Sequence, residues 1–254
     1  MNQSTHQTNF IFIGLNSLLE AIICLLPGLI LGSSLKWYSG TVFLLFLYLW
    51  LSKAFINLLR EAFKNHADLT NQLLAFKLAI ATILIFLLFF KLGFNFTLIV
   101  ILYELYQMLV RLNFNKFLVH PQYTFMMSFF NGFVFNCLVL ALAKNKFEFH
   151  YFYLFTFAFL VALSTITTKQ LYDYNGSWNK KWTILFKLIS FLATIGLLFW
   201  QSHTGYISDW LFYALAILLV VVLFCLKLIV NPKKREMALH LSSIILLIIY
   251  YVYH

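Results

Sequence analysis

The side chains best suited to chemistry in this sequence are a few polar residues set inside long apolar runs. Lys53, Asn57, Glu61 and Asn65 follow one another at intervals of four, and Asp68 comes three later. On a helix that spacing makes one stripe, offering oxygens to a cation and nitrogens to an anion. A second cluster begins at Ser164, Thr165, Thr167 and Thr168. It continues through Lys169-Gln170-Leu171-Tyr172-Asp173-Tyr174-Asn175-Gly176-Ser177 to Lys180 and Lys181. Asp173 and Ser177 are four apart and share a face if the helix runs on. Elsewhere Asn16 and Glu20 share a face, as do Glu104, Gln107 and Arg111. Each group also has a plainer reading. Packed membrane helices use polar side chains as interhelical glue, a helix end emerging into water lets Lys53 snorkel, and the second cluster reads as a solvated loop. The plainer reading fits Asn57 poorly, because Asn57 lies within an apolar stretch.

Composition dictates what must hold these residues. Of 254 residues, 63% are hydrophobic and only 10% charged, where a soluble domain carries about 25% charged. The mean hydropathy is +0.88. A soluble globular enzyme, a disordered chain and a secreted disulfide scaffold are excluded. The apolar runs lack the period-two alternation of a membrane barrel. The fold expected is an all-α membrane protein, one domain over residues 1–254. Nine helices are predicted near 10–34, 40–64, 71–91, 94–113, 121–143, 149–173, 182–200, 209–230 and 237–254, with Pro27 kinking the first. No Lys or Arg precedes the first apolar stretch, which argues against a cleaved leader.

The net charge is +10. The basic residues lie between hydrophobic runs, so they speak for orientation and phosphate-bearing ligands and not for nucleic acid. Fourteen of the 18 Lys and Arg residues fall on one side of a nine-helix arrangement, and Lys36, Lys91, Lys144 and Lys146 fall on the other. The positive-inside rule puts the N-terminus in the cytoplasm and the C-terminus outside the cell membrane. Cys24, Cys137 and Cys225 are far apart in apolar runs and read as small buried residues.

Nine spans with polar motifs after the second and sixth, both cytoplasmic, resemble the UbiA superfamily of intramembrane prenyltransferases. The family's first motif, N-D-x-x-D-x-x-x-D, is matched by Asn57-Leu58-Leu59-Arg60-Glu61-Ala62-Phe63-Lys64-Asn65. Asn57 agrees, Glu61 is conservative, Leu58 is a loss, and Asn65 keeps an oxygen without the charge. The second, D-Y-x-x-D or D-x-x-x-D with basic residues and a Thr behind it, is matched by Asp173-Tyr174-Asn175-Gly176-Ser177, then Lys180, Lys181 and Thr183. Tyr106 and Arg111 look like the family's Tyr and basic residue in the fourth span.

The resemblance implies a helical bundle around a central cavity open to the cytoplasm. It implies transfer of an isoprenyl group from a prenyl diphosphate to a membrane-soluble aromatic acceptor. Glu61 and Asp173 would be the catalytic carboxylates and would hold Mg²⁺ with Asn57 and Asn65. Arg111, Lys64, Lys169, Lys180 and Lys181 would bind the diphosphate, and Asn57, Asn65, Glu104, Tyr174 and Ser177 would line the polar cavity. Because aspartates of the pattern are missing, a UbiA-like protein that binds a lipid or a partner without catalysis is the alternative. A small transporter or flippase using Glu20 and Glu104 ranks behind both.

Overall fold

The computed structural model describes residues 3–32, 39–64, 71–112, 121–173 and 177–253. For residues 3–9, 63–64, 71, 111–112, 173 and 177–180 the description is of the backbone alone. The elements are α1 (Gln3–Leu31), α2 (Gly40–Lys64), α3 (Asn71–Leu112), α4 (Pro121–Phe129), a π-helical turn (Phe130–Val134), α5 (Phe135–Lys144), α6 (His150–Leu154), α7 (Thr156–Asp173), α8 (Ser177–His203), α9 (Asp209–Leu228) and α10 (Pro232–Tyr253). No strand occurs among the described residues. Seven helices are long and apolar enough to cross a bilayer: Phe10–Leu31, Gly40–Ala62, Gln72–Val110, Pro121–Lys144, Lys181–His203, Asp209–Leu228 and Pro232–Tyr253. This is a helical integral membrane protein.

Two expected spans are merged in α3, and Gly93 explains how. Its φ of 74° and ψ of 175° are not helical, and a positive φ is open to glycine at no steric cost. Lys77, before this break, pairs with Glu104, after it. Along an unbroken helix 27 residues would separate the two by roughly 40 Å. The chain therefore turns back at Gly93, and α3 is an antiparallel hairpin of two helices.

The expected span at 149–173 is also divided. Phe155 interrupts it with φ −96° and ψ 10° between α6 and α7. Although α7 is helical throughout, it is absent from the seven apolar helices. Its second half carries Thr165, Thr167, Thr168, Lys169, Gln170 and Asp173, which lower its hydropathy. Cys24 and Cys137 are buried as expected, whereas Cys225 is exposed on α9.

The structure divides into two compact units. The first comprises residues 1–22 and 35–112, the second residues 23–34 and 113–254. Within the first, α2 packs against the α3 hairpin. Within the second, α7 is central and touches α4, the π turn, α8 and α10.

Close backbone packing in the second unit depends on small residues and one amide. Pro27 has no N–H and crowds the carbonyl four residues back. The next amide, Gly28 N–H, donates to Asn136 Oδ1 at 2.9 Å. The nitrogen of the same side chain donates to the carbonyls of Asn131 and Gly132, both at 3.1 Å, where the helix has widened into the π turn. A methyl on Gly132 would lie 2.3 Å from Phe159 Cα, and one on Gly28 2.7 Å from the carbonyl oxygen of Asn136. Neither obstacle is a flexible side chain. Gly132→Leu is therefore expected to cost at least the 1–3 kcal/mol typical of overpacking. Asn136→Leu strands a donor and two acceptors, about 1–3 kcal/mol for each one left buried. Thermal melting in detergent checks both, and an unchanged midpoint for either variant would refute this account.

Candidate functional site: a buried polar interior in the first unit

The stripe read on α2 is a buried one. Lys53 is 1% exposed, and Asn57 and Arg60 are also buried. Glu61, the next turn on, is half-buried. Lys53 does not snorkel: its ammonium lies 5.7 Å from the centre of the Tyr103 ring, close enough for a cation–π contact. Asn57 Nδ2 donates to Ser17 Oγ at 3.0 Å and reaches Glu20 Oε1 at 3.5 Å. Its Oδ1 accepts from Arg60 Nη1 at 3.3 Å. Ser17 in turn donates to the carbonyl of Ile13 at 2.7 Å. The sequence placed Asn16 with Glu20 and Asn57 with Glu61; the structure brings α1 and α2 together through Ser17, which sequence reasoning passed over.

Glu104, expected to line a polar cavity, is held by two partners. Lys77 pairs with its Oε1, and the Tyr48 hydroxyl donates to its Oε2 at 3.0 Å. Lys77 also lies 5.4 Å from the centre of the Phe55 ring. Both charges are buried, so each requires the other. One turn along, Gln107 is buried with neither amide atom hydrogen-bonded among the described residues. Lys77 was read from sequence as an orientation residue. The missed signal is one cation and one carboxylate in consecutive apolar runs.

The second unit holds the other cluster. Lys169 pairs with Glu236 at 2.5 Å, which balances a charge expected to serve a diphosphate. Arg235 stacks over the Tyr172 ring at 4.2 Å and donates to the carbonyl of Ile229. Thr165 and Ser243 share a hydrogen bond of 2.8 Å. Lys181 is exposed. Asn65, Asp68, Tyr174 and Asn175 lie outside the described residues. The side chains of Lys64, Arg111, Asp173, Ser177 and Lys180 lie outside the description as well.

Mg²⁺ takes hard oxygens, usually one or two carboxylates. Of the four expected ligands, Glu61 and Asn57 have described side chains, and the Asn57 oxygen faces a guanidinium. A cation bound there would sit beside Arg60. In the loop after α5, outside the apolar helices, Glu148 holds Lys146 above its ordinary range and Lys146 holds Glu148 below its own. The Glu148 carboxylate therefore adds to stability above the usual range for Glu and loses that contribution as pH falls through the lowered value. Both groups are exposed, so the effect is small.

No protein-family profile matches the chain, and neither does any curated protein or any solved structure.

Removing one partner of a buried ion pair costs about 3–5 kcal/mol, whereas replacing both with apolar residues of similar size is often neutral. Lys77→Met and Glu104→Leu are each expected to lower the melting midpoint sharply, and the double variant to recover most of the loss. If the double variant melts at the sum of the two single losses, the two charges are not coupled.

Proposed function

We propose that this chain is a divergent intramembrane prenyltransferase of the UbiA type. In this reading the chain crosses the bilayer nine times, with the N-terminus in the cytoplasm and the C-terminus outside. It transfers an isoprenyl group from a prenyl diphosphate to a membrane-soluble aromatic acceptor. The observation that carries the reading is the burial of Lys53 and Arg60 on one stripe of α2 with Asn57 between them. Orientation alone asks only for basic residues at the water-facing end of a helix. Lys53 and Arg60 already have interactions within the protein, and a diphosphate entering this stripe would add charge-assisted hydrogen bonds to them.

The chemistry follows from the charges. The allylic C–O bond breaks and its electron pair leaves with the diphosphate. The growing negative charge is stabilised by charge-assisted hydrogen bonds from Arg60 and Lys53. The acceptor ring attacks the allylic carbon, a C–C bond forms, and the ring proton passes to the departing diphosphate. In this reading the Tyr103 ring, which already carries the Lys53 ammonium over it, would also stabilise the allylic cation. No step is assigned to Mg²⁺, because Asn57 is committed to Arg60 and Ser17. That commitment also favours a second reading, in which the same residues bind a prenyl diphosphate without transferring it.

Thermal stabilisation of the detergent-solubilised protein by farnesyl and geranylgeranyl diphosphates separates the possibilities. A ligand at 100 times its Kd stabilises by about 2.7 kcal/mol, which for a chain of this size raises the midpoint by several degrees. The rise is expected to survive chelator and to vanish in Arg60→Gln, while Lys144→Gln, altered at an exposed position outside the proposed site, keeps it. Label transfer from the same diphosphates to extracted membrane lipids then tells transferase from binder. No shift with any diphosphate in any buffer removes both readings.

A further inference from the structure

The second unit holds a small, partly open cavity that the proposed transferase chemistry does not use. Its volume is about 30 Å³, and it lies among α7, α8, α9 and α10. Most of its wall is aliphatic, from α9 and from Leu239 and Leu246 of α10, yet six residues that carry a hydroxyl also line it. They are Ser164, Thr165 and Thr168 of α7, Thr194 of α8, and Ser242 and Ser243 of α10.

A hydroxyl on a membrane helix ordinarily satisfies itself by donating to the carbonyl three or four residues back. Thr165, Thr194, Ser242 and Ser243 do this, to Val161, Ser190, Leu239 and Leu239 respectively. Thr168 does not. The carbonyl that its position offers, Ser164 O, already accepts from the Thr167 hydroxyl at 3.1 Å. Thr168 Oγ1 is left with no hydrogen-bond partner among the described residues, on a side chain 1% exposed that lines the cavity. Such a hydroxyl has one hydrogen and two lone pairs to place, and the apolar wall of α9 offers it nothing.

We propose that this cavity is a water site, in which one or two buried water molecules are held by the Thr168 hydroxyl and bridged to its hydroxyl neighbours. The size agrees: a water needs about 10–15 Å³ measured in this way, together with two to four polar partners. The partners are present. A hydroxyl that donates to a helix carbonyl keeps its oxygen lone pairs for an incoming hydrogen, so Thr194 and Ser242 serve as acceptors and Thr168 as the donor. The bound water completes a polar seam along α7 and α10. That seam runs from the Thr165–Ser243 hydrogen bond to the Lys169–Glu236 ion pair, with Thr168 between them in sequence.

The sign of one substitution tests the assignment. Thr168→Val keeps the shape and removes the hydroxyl. If water is bound, the variant strands it and the melting midpoint falls by about 2–4 °C, while Thr168→Ser stays near wild type. If the cavity is dry, the valine relieves an unsatisfied hydroxyl and the midpoint rises. An unchanged or higher midpoint overturns the proposal.

Water-edited solid-state NMR of the wild-type protein in bilayers gives an answer that does not depend on how the variants fold. The Thr168 side-chain carbons are expected to gain magnetisation from water early, although the residue is shut off from bulk solvent. If they gain it from lipid chains instead, a lipid occupies the site and the water assignment fails; if from neither, the cavity is dry and it fails equally.

Discussion

Backbone N–H and C=O groups inside a membrane have no water to turn to, and this constraint governs the structure wherever a helix departs from regularity. In the second unit such departures include Pro27 and the π turn at Phe130–Val134. Each by itself would leave donors or acceptors short of partners. Asn136 serves both, accepting from Gly28 and donating to Asn131 and Gly132. The arrangement requires α1 and the Pro121–Lys144 rod to approach within backbone contact. Glycine at 28 and at 132 permits that approach on both faces of the rod, against α1 and against α7. Irregular helices, small residues and one carboxamide are therefore parts of a single packing solution.

The same rule sorts the charged residues. Lys77 with Glu104 and Lys169 with Glu236 are neutralised in pairs within their own units. The buried stripe of α2 carries two more cations, with Lys53 over an aromatic ring and Arg60 donating to an amide oxygen. Lys53 and Arg60 of α2 are buried.

Much of the fold was legible in the sequence, because hydropathy and helix length follow directly from the thickness of a bilayer. The run predicted at 40–64 is α2 to the residue, and the runs at 121–143 and 209–230 agree within two residues. The hairpin at Gly93 was visible as two runs split by a short gap. The site was legible only as types. Asn57 and Glu104 were picked out as polar residues that the bilayer does not excuse, but nothing local says that Lys77 meets Glu104 or that Ser17 meets Asn57. Those pairings depend on how helices far apart in sequence are laid side by side. Asn136 looked like any lone Asn in an apolar run, since the π turn it supports carries no sequence mark of its own.

The hairpin at Gly93 also bears on how the chain enters the membrane. Its first arm carries Lys77 and its second carries Glu104, and neither charge is tolerable in lipid alone. At a synthesis rate of roughly 5–20 residues per second, the carboxylate emerges a few seconds after the ammonium. Until then the first arm has every reason to wait at the insertion machinery. Entry of the two arms together would let the one ammonium and the one carboxylate buried between them neutralise each other, while Lys91 and Arg111 lie toward the ends of the arms.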